Sequence, residues 1–251
     1  MLMRTVLNYK MTLNSPAAQK DTKTALNSFS KELRYNVPDS LVYGYRLFAC
    51  AVLFVSMVMM VYLEKSMILY RLMAFFTNWG LMLTIAYFTL NTLYYTDKRL
   101  TYNLNILFHF SFSAEILITL IYWVMIVPAR KETGFSTHWM HVYDDHWLDN
   151  FCLEFLLVFH HTIPLVLLVI DMFLNRIVLV TSHFNYWFGL MLLYLSFNAF
   201  YVIKLDWVVY AILTYDSIGD VKLVIAIFLV SFMCFFTPIL LQKIKYRNVS
   251  A

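Results

Sequence analysis

Residues 41–63, LVYGYRLFACAVLFVSMVMMVYL, form an apolar run broken by a single charge, Arg46. A helix needs roughly 20 such residues to cross the hydrocarbon core of a bilayer. The run is typical of the chain: 61% of its 251 residues are hydrophobic, 14% are charged and the mean hydropathy is +0.67. A soluble domain averages about 45–50% apolar and about 25% charged residues. A soluble globule of this size could not hide so much apolar surface, which excludes a soluble single-domain enzyme. Aromatic residues at 18% exclude intrinsic disorder. Further runs at about 68–95, 104–127, 148–171, 184–203 and 222–241 are long, continuous and rich in Leu, Met and Phe. They read as helices, because membrane strands alternate polar and apolar residues over about ten positions. The expectation is an all-α polytopic membrane protein, a six-transmembrane-helix bundle over 41–251.

Residues 1–40 form a polar, basic N-terminal extension, with Arg4, Lys10, Lys20, Lys23, Lys31 and Arg34 against Asp21 and Glu32. The extension lacks the apolar stretch of a secretory signal, and its acid-poor, hydroxyl-rich composition resembles a mitochondrial targeting segment. Such a tail, if folded, needs a partner surface. With six spans, both termini share a side, which also holds Arg46, Lys98, Arg99, Arg176, Lys243, Lys245 and Arg247. The other side holds Lys65, Arg71, Arg130, Lys131, Lys204 and Lys222 among most of the loop carboxylates. The positive-inside rule then places both termini in the cytosol, or in the matrix of a mitochondrial inner membrane. A formal charge of +4 is too small and scattered for nucleic acid. Cys50, Cys152 and Cys234 all fall inside apolar runs and read as small packing residues, with no disulfide framework or zinc site.

Ionisable groups inside membrane helices are costly and demand a partner or a purpose. Here they are Glu115 on the third run and His160, His161 and Asp171 on the fourth; the second adds Thr77, Asn78 and Thr84 around Trp79 and Gly80. At 1.5 Å per residue, Thr77, Glu115 and His161 lie roughly 14, 18 and 20 Å from the acidic face. A hydroxyl, a carboxyl and an imidazole are thus expected at nearly one level. A Thr hydroxyl attacks an acyl carbon only when a base takes its proton, and neutral His is the usual base. Asn78 or Trp79 could stabilise the oxyanion. Glu115 is the better candidate to orient the imidazole, since Glu154 lies two turns from His161. The scheme requires Thr77 and the nearer imidazole within about 6 Å, the reach of one bridging water. Adjacent His160 and His161 point about 100° apart, so only one faces such a site and the other bonds between helices; which is which stays open. Structural alternatives accompany each residue: Thr77 bonding its own backbone, Glu115 holding helices together, and Asp171 snorkelling as a paired interfacial group.

The loop HWMHVYDDH offers His138, His141, Asp144, Asp145 and His146 as metal-ligand types, but a solvated interfacial loop flanked by an aromatic belt accounts for it, and no metal is expected. His109 with His161 could ligate haem only without support from spacing, so no cofactor is expected.

The stretch FFTNWGLMLTIAYF around Thr77, followed after a third helix by HHTIPLVLLVID around His161, resembles the androgen-induced and rolling-stone group of six-span membrane proteins. In that group an aromatic-rich approach precedes a Thr, and a later His stands about ten residues before an acidic residue. Over roughly 41–241 the resemblance implies intramembrane, threonine-dependent hydrolysis of lipid esters, the fatty-acid esters of hydroxy fatty acids. Thr77 would be the nucleophile and His161 the base, with membrane lipids as partners. A second expectation, from another class, is a non-catalytic accessory subunit of a large mitochondrial inner-membrane complex whose other subunits contact the N-terminal extension.

Overall fold

In the computed structural model of the chain, the described residues are 38–63, 74–94, 101–128, 147–174, 177, 179–205, 210, 215 and 217–247. Those up to Gln242 belong to one compact unit, Pro38–Gln242. The N-terminal extension expected to meet a partner and the loop 138–146 lie outside the described residues.

The order is α1 (Asp39–Leu63), α2 (Phe76–Leu93), α3 (Thr101–Ile121) running into a π-helical turn (Tyr122–Ile126), α4 (Trp147–His160), α5 (Ile163–Leu174), a 3-10 turn (Thr181–His183), α6 (Phe184–Leu205) and α7 (Ile218–Arg247). Among the described residues there is no strand, as the long apolar runs predict. Five stretches are long and apolar enough to cross a membrane: Asp39–Leu63, Tyr102–Ile126, Phe151–Leu174, Thr181–Leu205 and Ile218–Lys245. α2 is not among them. Its 18 residues include Thr77, Asn78, Thr84, Thr89, Asn91 and Thr92, which lower its apolarity.

The helix expected over 68–95 starts only at Phe76, after an extended Phe75 (φ −87°, ψ 128°). Thr77 is therefore in the first helical turn, and the depth estimated by counting from residue 68 does not describe it. The fourth run also departs from expectation, divided into α4 and α5 by a turn at His161–Thr162. Pro164 accounts for the division: it has no N–H to offer the carbonyl of His160, and its ring crowds that carbonyl.

The outside of the bundle is apolar, and its buried polar groups lie inside among an apolar core. Leu47, Phe48, Phe54 and Val55 of α1 are exposed, and Phe151 and Phe155 of α4 likewise, whereas Arg46, Thr84, His109, Glu115, His160 and Asp171 are buried. This is the arrangement a bilayer imposes, because lipid solvates apolar side chains and punishes polar ones. α3 lies at the centre, with 56% of its span buried against 22–33% for the other four. Phe108, Phe112, Leu117 and Ile118 of α3 pack with Tyr87, Phe88, Trp187 and Phe235 in the main core.

The most extensive helix pairing among the described residues is α2 on α3, with a tight approach at Gly80. A Cβ there would come within 2.3 Å of Ile118 Cδ1 and 3.0 Å of Glu115 Oε1. The same approach lets the Thr84 hydroxyl bond to the Gly80 carbonyl (2.9 Å) and Glu115 Oε1 (3.1 Å). Small residues at such crossings let backbones meet where hydrophobic attraction between helices is weak. Gly80→Ala is expected to lower the thermal midpoint, with an overpacking cost of about 1–3 kcal/mol. Adding Ile118→Val, which deletes the clashing Cδ1, should recover part of the loss in a double-mutant thermal series.

Candidate active site

Three irregularities meet at one place: the start of α2, the break between α4 and α5, and the π turn after α3. Thr77 Oγ stands 3.0 Å from His161 Nε2, well inside the separation that proton transfer requires.

The break in the fourth span presents His161. Its amide N–H still reaches the Leu157 carbonyl (3.2 Å), while the next amide, Thr162, drops back to Phe159 (3.2 Å). The His161 carbonyl accepts the Thr119 hydroxyl of α3 at 2.7 Å, and the Trp123 indole donates to the Thr162 hydroxyl at 3.2 Å. Two hydrogen-bonding groups of the turn are thus met by α3 and the π turn that follows it, as an apolar environment demands.

The imidazole is fixed on three sides. Its Nδ1 lies 2.6 Å from the Leu157 carbonyl. A carbonyl only accepts, so Nδ1 carries a proton, and in the neutral imidazole Nε2 keeps a lone pair facing Thr77. Tyr122, opening the π turn, stacks on the ring with centroids 4.1 Å apart and planes 20° apart. A π turn shifts the side chains that follow it relative to a regular helix and is often found at functional sites; here it opens on the ring that covers His161. The third member of the array is therefore a backbone carbonyl one turn back on α4, in place of the expected Glu115. Glu115 is fully buried and bonds to Thr84, two turns along α2 from Thr77.

The N-terminus of α2 is itself buried, with Ala74 at 0% and Phe76 at 6% exposure. Its first amides cannot be left to solvent. No side chain caps it at Phe75; instead the Phe76 N–H donates to the Tyr210 hydroxyl at 2.9 Å. The Tyr194 hydroxyl donates to the Ala74 carbonyl at 3.0 Å. Thr77, His161, Tyr194 and Tyr210 line one cavity of about 60 Å³, closed otherwise by apolar groups such as Leu117, Ile118 and Met191. That is room for a few water-sized groups beside the hydroxyl.

Asn78 and Trp79 are not among the described residues lining the cavity. One and two positions on from Thr77, they turn about 100° and 200° around the helix. Trp79 packs against Tyr194 and Phe197 (5.5 and 5.8 Å between centroids). Their expected role at an oxyanion has no geometric support. Between the two histidines the geometry is decisive. The Ser56 hydroxyl donates to the Leu53 carbonyl (2.8 Å) and so accepts from His160 Nε2 (3.1 Å). His160 thus ties α4 to α1 and faces away from Thr77. His109 meets His183 (3.3 Å) and the Phe235 carbonyl (2.9 Å), where haem ligation with His161 would need another partner.

Asp171 departs furthest from expectation. It is fully buried, not snorkelling at an interface. Arg46 Nε lies 2.8 Å from its carboxylate, and another Arg46 nitrogen donates to Asn91 Oδ1 at 2.9 Å. Tyr87 donates to the same carboxylate. Arg46, read from sequence as a flanking topology charge, is the buried countercharge, and the group ties α1, α2 and α5 together.

Comparisons with protein families, with curated proteins and with solved structures gave no match.

Breaking a buried ion pair on one side leaves an uncompensated charge and costs about 3–5 kcal/mol. Arg46→Met is accordingly expected to abolish a monodisperse fold in detergent. Arg46→Met with Asp171→Leu, which removes both charges, should restore it, as read by size-exclusion and thermal unfolding.

Proposed function

We propose that the chain is an intramembrane lipid ester hydrolase with Thr77 as nucleophile and His161 as general base. The observation that carries this reading is the 3.0 Å contact between Thr77 Oγ and His161 Nε2, with the opposite nitrogen held by the Leu157 carbonyl. Nucleophile, base and orienting acceptor then stand in a line, the arrangement that activates a hydroxyl.

In the proposed cycle, Thr77 Oγ bonds to the ester carbonyl carbon while its proton passes to His161 Nε2. The tetrahedral intermediate expels the alcohol, which leaves with that proton, and the acyl group stays on Thr77. Water then attacks the acyl carbon, giving its proton to His161. His161 returns that proton to Thr77 as the carboxylic acid departs. The mostly apolar walls of the cavity suit the ester end of a lipid.

The finer features of the reading are proposals of the same standing. α2 would be the sixth span, with its polar face turned inward. Both termini would lie on the cytosolic or matrix side, as the distribution of Lys and Arg favours. Fatty-acid esters of hydroxy fatty acids would be the substrates, by the resemblance of the Thr77 and His161 stretches to the androgen-induced and rolling-stone group.

A fluorophosphonate hydrolase probe tests the proposal on the purified chain in lipid nanodiscs. Wild type and Thr77→Ser are expected to label, whereas Thr77→Ala is silent. His161→Ala should label about 10²–10⁴-fold more slowly, the usual worth of a general base. Labelling that survives Thr77→Ala contradicts the assignment. Absent labelling, with the chain running on native gels inside a large membrane complex, favours the accessory-subunit reading.

A further inference from the structure

The cavity contains one more polar hydrogen than the Thr77–His161 pair uses. Tyr210 Oη accepts the Phe76 N–H at 2.9 Å, which places the phenol over the first turn of α2, directly beside Thr77. The ring is steadied edge-on by Phe75, with centroids 5.8 Å apart. The other hydroxyl beside it, Tyr194 Oη, is 3.4 Å away on the donor side, beyond the usual 2.5–3.0 Å range for O–H···O bonds, so the phenol's own proton is not committed there. Tyr194 differs: its single proton has the Ala74 carbonyl at 3.0 Å.

We infer that Tyr210 donates the hydrogen bond that receives the oxyanion when Thr77 attacks an ester carbonyl. The inference rests on the Thr77–His161 reading and adds to it the group that binds the developing charge. As the Thr77 Oγ–carbon bond forms, the carbonyl π pair moves onto oxygen, and the Tyr210 O–H turns to that oxygen. No proton is transferred in this step; the phenol donates and keeps its hydrogen. Three features suit it to the task. Accepting the Phe76 N–H polarises its own O–H and makes it a better donor. Burial of the hydroxyl pushes its pKa above the ordinary phenol value, so it stays protonated. The site is also at the N-terminus of α2, where the helix dipole favours negative charge and the Thr77 amide, without an intrahelical acceptor, is a second donor.

The test compares an acyl ester with its thionoester, whose C=S accepts hydrogen bonds poorly, on the full chain in nanodiscs. Wild type should prefer the oxygen ester. Tyr210→Phe keeps the ring and is expected to lose about 10²–10³-fold in kcat, the usual worth of one oxyanion donor, with KM nearly unchanged. Its preference for the oxygen ester should collapse. Tyr194→Phe should retain that preference. If Tyr210→Phe slows both esters equally and keeps the wild-type ratio, the hydroxyl only caps α2 and the inference is overturned. Full activity in Tyr210→Phe overturns it as well, while Thr77-dependent turnover leaves the nucleophile assignment standing. Turnover that persists in Thr77→Ala removes both assignments together.

Discussion

Pro164 has no backbone N–H, and its ring excludes the carbonyl four residues before it. The fourth span therefore cannot run as one helix through His160–Ile163. In water such a break would be filled by solvent; inside an apolar bundle its polar groups must find protein partners. Two of them do: Thr119 of α3 takes the His161 carbonyl, and Trp123 of the π turn reaches the Thr162 hydroxyl. The break is thus pinned in one geometry. That geometry turns His161 back over its own helix, so that Leu157 holds one nitrogen and leaves the other for Thr77.

The same rule governs the other side of the contact. α2 begins inside the bundle, so its first amides are a liability in hydrocarbon and an opportunity for chemistry. Tyr210 caps one of them and thereby stands beside Thr77. Elsewhere polar groups pair for cohesion: Arg46 with Asp171, His160 with Ser56, Glu115 with Thr84. The candidate site is the place where three helices become irregular together and where the hydrogen-bonding groups surround a cavity.

Much of this was legible in the sequence, for reasons that can be named. Long apolar runs report membrane helices directly, and rare ionisable residues in them mark the interior, so Thr77 and His161 could be matched by depth. Depth does not explain why the two meet, since residue 68 begins the apolar run but the described helix begins at Phe76. Periodicity separated His160 from His161 without saying which faced inward; the Pro164 turn decides that. Level, and the two turns that separate Glu154 from His161, favour Glu115 as the partner of His161, but Gly80 brings α2 close enough for Thr84 to take it instead. Arg46 and Asp171 are 125 residues apart in the chain, and nothing local announces their pairing. Tyr210 was invisible for the same reason: its value lies in where a connection returns, not in the residues around it.

The central claim concerns one proton: it sits on His161 Nδ1, leaving Nε2 to accept from Thr77. Solid-state ¹⁵N spectroscopy of histidine-labelled chain in bilayers, with the His161 signals assigned by difference from His161→Asn, reads this directly. The account predicts a protonated Nδ1, an unprotonated Nε2 at neutral pH, and a shift of the Nε2 resonance in Thr77→Val. A protonated Nε2, or an Nε2 resonance indifferent to Thr77→Val, would contradict it.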